Sequence, residues 1–212
     1  MYIPAHFAQT DPEELAAVIR NYNFGTLITA GTQSLFATHL PFVADPGWPL
    51  RRLRAHMARA NPHWKDIGEE IDALAIFQGP HAYISPSWYV SRPRVPTWNY
   101  ISVHVYGRLR LLNEPQDVLD TLARTVSHQE DGRPEPWRMA SLPESYLSGM
   151  VKNVVAMELL VERVEGKFKL GQNMPEADRR GAIGGLLGEG DAMSQETADA
   201  MAHTLDEDSP AL

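Results

Sequence analysis

The sequence predicts an α+β protein whose core is an antiparallel β-barrel with helices packed around it. Some six or seven segments are short and rich in β-branched and aromatic residues, the composition of strands. Few of them are separated by the helical crossovers that a parallel sheet requires. One of them, YISVHVYGRLRLL from Tyr100 to Leu112, places Ile101, Val103, Val105, Leu109 and Leu111 on one face and Ser102, His104, Tyr106, Arg108 and Arg110 on the other. A small barrel fills its own lumen with side chains, so a sizeable ligand would sit outside it or between subunits.

The elements follow in order. Thr10-Asp11-Pro12-Glu13 has the form of a helix start, and Leu15, Val18, Ile19 and Tyr22 then recur at helical spacing. FGTLITA (Phe24 to Ala30) and LFATHLPFVA (Leu35 to Ala44) read as a strand pair joined by a turn at Gly31-Thr32-Gln33. LRAHMA (Leu53 to Ala58) is a third strand, and Asn61-Pro62 caps a brief helix. DALAIFQG and AYIS supply two further strand pieces ahead of Tyr100 to Leu112. Helices are predicted from Glu114-Pro115 and from Ser141-Leu142-Pro143-Glu144. VVAMELLVERV then reads as a long strand, Glu165-Gly166 as a turn and KFKLGQN as a short return strand. A last helix starts at Asn173 to Glu176 and runs to about Leu187, its end weakened by Gly184, Gly185 and Gly188.

The chain has 212 residues, which suits one domain plus a tail. It contains no Cys, so disulfides, zinc-thiolate sites and Cys nucleophiles are excluded. The N-terminal MYIPAHFAQTDPEE lacks a basic flank and an apolar run, and no stretch of about 18 apolar residues occurs, so the expectation is a soluble cytoplasmic protein with no membrane partner. The net charge is -8, but Glu189, Asp191, Glu196, Asp199, Asp206, Glu207 and Asp208 belong to the last 24 residues, which have no Lys or Arg. Setting those seven aside from the 27 acidic residues leaves the body within one charge of neutral against 19 basic residues. Residues 189–212 are thus expected to form an acidic, disordered tail without strong apolar periodicity.

Two stretches carry candidate chemistry. In the first, Thr38-His39 and His56-Met57-Ala58-Arg59-Ala60-Asn61 lie on neighbouring strands, with Arg59 just before the free amides of the helix at Pro62 and Lys65 a turn later. Guanidinium and amide donors converging in this way form a phosphate site; Arg59 reads equally as a surface ion-pair partner. In the second, Phe77 to Tyr106 concentrates two of the five Trp and four of the seven Tyr. Its Pro86-Ser87-Trp88-Tyr89 and Pro96-Thr97-Trp98-Asn99-Tyr100 put aromatic faces beside amide and hydroxyl groups, as stacking on a planar heterocycle requires. The same rings would also serve to close a barrel or a dimer interface.

Other chemistries find little support. None of the eight His (His6, His39, His56, His63, His81, His104, His128, His203) forms an HxH or HExxH pair, so no metal is expected. GxSxG, GxGxxG and GxxxxGK[ST] are absent. Arg51-Arg52-Leu53-Arg54 and Asp178-Arg179-Arg180 are small basic clusters without a helix-turn-helix pattern, more simply solvated faces than a DNA-reading surface.

MYIPAHF, FGTLIT, FATHLPF, AHMARANPHWKD, IFQGPHAYISPSWY, VPTWNYISVHVYG, GKFKLGQN and EADRRGAI, in that order, resemble the PaiB-type FMN-binding negative transcriptional regulators over about residues 1 to 187. The resemblance implies a split β-barrel of the pyridoxamine-phosphate-oxidase and flavin-reductase group over residues 1–188, a homodimer, and FMN at the subunit interface. It places the FMN phosphate near Arg59, Asn61 and Lys65, with Thr38, His39 and the backbone of His56, Met57 and Ala58 along the ribityl chain and ring system. Trp98, Asn99 and Tyr100, with Lys169, Gln172 and Asn173, would come from the other subunit. Gly171 departs from the family, which more often has Ser there. The implied function is negative regulation of transcription, with DNA a partner directly or indirectly. The alternative is a flavin-dependent oxidoreductase with an indirect regulatory effect, in which His39, His56 or Tyr100 would donate protons. A third reading is an interaction protein with an empty cleft.

Overall fold

The computed structural model describes residues 1–31 and 34–207. The described residues form seven strands and five α-helices: β1 (Ala8–Gln9), α1 (Pro12–Asn21), β2 (Phe24–Ala30), β3 (Leu35–Ala44), β4 (Arg52–Ala58), β5 (Ile71–Ile84), β6 (Thr97–Leu112), α2 (Pro115–Glu130), α3 (Glu144–Val151), β7 (Val154–Lys169), α4 (Glu176–Glu189) and α5 (Ala192–Glu207). Hydrogen bonding orders the strands β1-β7-β4-β3-β2-β5-β6, and β6 pairs again with β7. That second pairing closes the sheet on itself. The fold class is therefore α+β, an antiparallel split β-barrel with peripheral helices, as expected. Of the turn foreseen at Gly31-Thr32-Gln33, Thr32 and Gln33 lie outside the described residues.

Two compact units share the chain. The first comprises residues 12–77 and 104–164. In it β2 pairs antiparallel with β3 from Phe24↔Pro41 to Ala30↔Leu35 and with β5 from Thr26↔Ile76 to Thr29↔Ala73. β4 pairs with β7 from Arg52↔Leu160 to Ala58↔Val154. Alternate residues turn inward: Leu27, Leu53, Ala55, Ala75, Phe77, Val105, Leu109, Met157 and Leu159 are all but completely buried. Phe42 meets Phe77 edge to face at 5.3 Å. A Cβ at Gly107 would lie 1.9 Å from the Leu160 carbonyl oxygen, so only glycine lets β6 approach β7 this closely. α1 covers β3 with Leu15, Val18 and Ile19 buried, while α3 has no buried residue.

The second unit comprises residues 1–11, 78–103 and 165–212. Here two strand expectations are corrected. The pieces foreseen as DALAIFQG and AYIS are one strand, β5, because Pro80 keeps an extended backbone and forgoes only one amide donor. Glu165-Gly166 is no turn, since β7 continues to Lys169 and pairs with β1 through Gln9↔Gly166 and Ala8↔Lys167. A two-residue strand supplied by the N-terminal segment leaves too little pattern to be foreseen.

The disordered tail is corrected as well. Ala192–Glu207 is the helix α5, packed on α4. Thr197, Ala198, Met201 and Leu205 form its buried stripe against Ala182 and Leu186 of α4. Small and weakly apolar residues build that stripe, so the periodicity barely rises above the acidic background. Expectations for residues 208–212 lie outside the described residues.

Candidate functional site

The phosphate-side candidates lie in the unit of residues 12–77 and 104–164. Among the described residues the β3–β4 ladder consists of Phe42↔Ala55, Val43↔Arg54 and Ala44↔Leu53, so the two strands part toward Thr38 and Ala58. A one-turn 3-10 helix, Pro62–Asp66, sits at the opening. Asn61 caps it by accepting from the His63 amide at 3.0 Å and reaches β3 by donating to Thr38 Oγ1 at 3.2 Å. His63 is fully buried; its Nε2 bonds Thr29 Oγ1 and its Nδ1 bonds Thr38 Oγ1, both at 2.8 Å, and its ring stacks on Phe36 at 4.5 Å. Burial lowers the His63 pKa, partly offset by Asp66. Thr29 was not singled out from sequence and His63 was weighed only as a metal ligand; nothing local would have paired them.

At the candidate anion site, two donors of Arg59 are engaged by the backbone: Nε donates to the Lys152 carbonyl at 2.8 Å and Nη2 to that of Val154 at 3.0 Å, clamping the start of β7. Its own carbonyl accepts from Trp64 Nε1 at 2.9 Å, and its guanidinium lies 5.7 Å from the Trp64 ring. Lys65 is exposed. The short helix leaves few free amides, since Asn61 already takes that of His63 and Trp64 accepts from Ile67.

His39 and His56 alternate with the buried Leu40, Phe42, Ala55 and Met57, so both occupy the outer face of their strands. His39 is exposed and stacks with Phe24 at 6.3 Å. His56 is half-buried with its pKa lowered by desolvation, and its Nδ1 is a buried ring nitrogen without a hydrogen-bond partner among the described residues. Met57 is core, so only its backbone is available to a ligand; Ala58 is exposed. Beside His56, the buried carboxylate of Glu158 takes both Nε and Nη2 of Arg110, with Arg54 3.7 Å and Arg52 4.0 Å away. Asp45, 2.7 Å from Arg52 Nε, is a second acid in this cluster, so three guanidinium groups face two carboxylates and a net positive charge remains.

The remaining candidates lie in the other unit. Trp98 is 55 % exposed, its carbonyl receiving the Lys169 ammonium, which also donates to Thr97 Oγ1 at 2.7 Å. Burial, then Lys167, lowers the Lys169 pKa. Asn99 is buried and donates to Met201 Sδ at 3.2 Å, while Tyr100 has the Lys167 ammonium 5.3 Å from its ring. Gln172 closes a turn, accepting from the Leu170 amide and donating to the Phe168 carbonyl. Gly171 in that turn has φ +86°, where Ser would be strained. Asn99, Lys169 and Asn173 line a cavity of about 380 Å³ with Phe7, Tyr89 and Arg94. Tyr89 belongs to the aromatic group singled out from sequence, whereas Arg94 was missed as a cavity residue although it lies in the same proline-rich stretch.

This fold, an antiparallel sheet closed through the β6–β7 pairing, defines a split-barrel protein. The chain belongs to the family described as "Putative FMN-binding domain", whose model matches residues 1–163. It is 35 % identical over 205 residues to protease synthase and sporulation protein PAI 2 of Bacillus subtilis, covering 97 % of this chain and 98 % of that one. An uncharacterised protein of Emericella nidulans is 31 % identical over 226 residues, covering 88 % and 90 %. Solved structures share the fold: the flavocytochrome Anf3 of Azotobacter vinelandii matches with TM-score 0.60 at 15 % identity over 79 % of this chain and 72 % of its own. The FAD and heme binding protein of Mycobacterium smegmatis matches with TM-score 0.58 at 14 % identity over 76 % and 73 %. No helix among the described residues is long and apolar enough to cross a membrane.

Proposed function

We propose that the protein binds FMN as a homodimer and acts as a negative regulator of transcription. The observation that carries this is the family match over residues 1–163, reinforced by 35 % identity along nearly the whole of PAI 2. The structure supports the reading through groups a ligand would satisfy. His56 Nδ1 is buried and unpaired among the described residues, beside a face made positive by Arg52, Arg54 and Arg110, and the β3–β4 ladder stops short of Thr38. Arg59, Asn61 and Lys65 would hold the phosphate, and Thr38, His39, His56 and the backbone of Met57 and Ala58 the remainder. From the partner chain would come Trp98, Asn99, Tyr100, Lys169, Gln172 and Asn173. Bound FMN would supply a reversible carrier of one or two electrons.

Purified protein is expected to be yellow, or to become so on adding FMN at micromolar concentration; protein that stays colourless and binds none sinks the cofactor reading. Arg59→Ala should weaken FMN binding by about 2 kcal/mol through loss of a charge-assisted contact, with Arg59→Lys intermediate. Because Arg59 also clamps β7, the melting temperature of each variant separates a local loss from unfolding. Light scattering tests the dimer. Salt-dependent binding to promoter duplexes, measured beside NAD(P)H oxidation, tests regulation; oxidation without duplex binding would replace the regulator by an oxidoreductase in which His56 exchanges protons.

A further inference from the structure

Outside the proposed anion site, four aromatic side chains and two carboxylates converge on one hollow. His81, Tyr83, Trp88 and Trp98 line a cavity of about 350 Å³ together with Glu189 and Asp191. The rings are set at an angle to one another: His81 lies 6.4 Å from Trp98 at 33°, and Tyr83 lies 6.2 Å from Trp98 at 74°. Tyr83 and Trp98 are each about half exposed, an unusual outlay of aromatic surface unless something covers it.

The wall formed by Trp88 is fixed in place. A Cβ at Gly185 would come 2.2 Å from the Trp88 ring, and one at Gly181 the same distance from the Trp88 carbonyl oxygen, so the tryptophan lies in a notch that two glycines cut into α4. Three residues before Gly181, Asp178 of α4 accepts from the Val90 amide at 2.8 Å, the Ser91 amide at 2.9 Å and the Arg94 guanidinium at 2.8 Å. The segment carrying Trp88 is thus held to α4 from two sides, and little ordering remains to be done when a ligand arrives.

The electrostatics of the hollow are negative. Glu189 is the last residue of α4, and Gly190 ends that helix in the left-handed conformation at φ +78°. The carbonyl end of a helix favours cations, so a glutamate there is locally unfavourable. Asp191 is a carboxylate kept below its ordinary pKa by hydrogen bonds from Ser194. Aromatic faces, two carboxylates and the C-terminus of α4 favour a cation, against the N-terminus of α5, whose first turn also lines the hollow with Met193 and Ser194 and is capped by Asp191; the misplaced Glu189 is the local conflict expected at a functional position.

We propose that His81, Tyr83, Trp88 and Trp98 form an aromatic cage that, with Glu189 and Asp191, binds a methylated ammonium group on a small organic cation. Rings dominate the lining over free acceptors, which favours a quaternary ammonium, held by ring faces, over a primary one, held by hydrogen bonds. The cage shares Trp98 with the flavin reading and does not depend on it.

Calorimetric titration of the full chain with choline, its neutral isostere 3,3-dimethylbutan-1-ol and ethanolamine tests the proposal, with flavin absorbance recorded in the same samples so that the two ligands are scored separately. Choline should saturate at millimolar concentration or below, with each of the other two at least about tenfold weaker. Tyr83→Ala and Glu189→Gln should each weaken choline binding about three- to tenfold. Tyr83 is exposed enough for its variant to fold, and Glu189→Gln should raise the melting temperature of ligand-free protein by relieving the charge at the helix end. Equal affinity for choline and the isostere would show a merely apolar hollow. Tighter binding of ethanolamine, no saturation, or variants that bind like the parent would also overturn the cage.

Discussion

Single residues set how the protein responds to pH. His63 is buried between Thr29 and Thr38 and has its pKa lowered by burial; His56 and His104 are shifted the same way, also by burial. A histidine harder to protonate when folded leaves stability intact above its unfolded value of 6.5 and removes it as pH falls from there toward the folded value, because the unfolded chain takes up the proton first. Urea unfolding midpoints should therefore drop between about pH 7 and pH 5. His63→Gln should flatten part of that slope while costing about 2 kcal/mol at neutral pH, since threonine hydroxyls lose fitted partners; an unchanged slope would assign the effect elsewhere. At this scale the sequence was only partly legible. Thr38, Asn61 and Arg59 stood out as a polar cluster, yet the hydrogen bonds linking Thr38 to His63 and Arg59 to the start of β7 are long-range and leave no trace in local pattern.

At the scale of elements, glycine shows why local rules misread α4. Gly184, Gly185 and Gly188 look alike in sequence, as sites where a helix is weakened. In the fold they differ: a Cβ at Gly184 meets nothing within 4 Å, whereas one at Gly185 runs into Trp88. Gly184→Ala should stabilise the protein by up to about 1 kcal/mol, and Gly185→Ala should destabilise it by about 1 to 3 kcal/mol. Chemical denaturation of both variants decides the point, and equal effects would remove the notch from the account. Strands that alternate, such as β4 and β6, were legible because one face is core and the other is not. The continuity of β5 through Pro80 and of β7 through Gly166 was not, because residues that usually break a strand are tolerated when a neighbour supplies the remaining ladder. α5 escaped notice for a third reason: Thr197, Ala198 and Met201 are buried by packing on α4 without being strongly apolar.

For the molecule as a whole, β5, β6 and β7 each run through both compact units, so neither unit is a continuous piece of sequence. The family match ends at residue 163, within β7. A chain cut there would lose the partner of β1 and the whole of α4 and α5, along with the groups that hold Trp88, Val90, Ser91 and Arg94. Such a truncation should be poorly soluble and show rapid amide exchange in residues 85–94. Slow exchange there would contradict this dependence. The tryptophan in the glycine notch also has an optical consequence. An indole fixed against backbone on one side and open to a hollow on the other gives Trp88 an asymmetric environment, which should contribute to near-ultraviolet circular dichroism. Asp178, kept at a pKa of about 2 chiefly by hydrogen bonds from Ser91, holds the neighbouring segment to α4 until strong acid. The protein thus carries its own chromophore for following the loosening of α4, with no label attached.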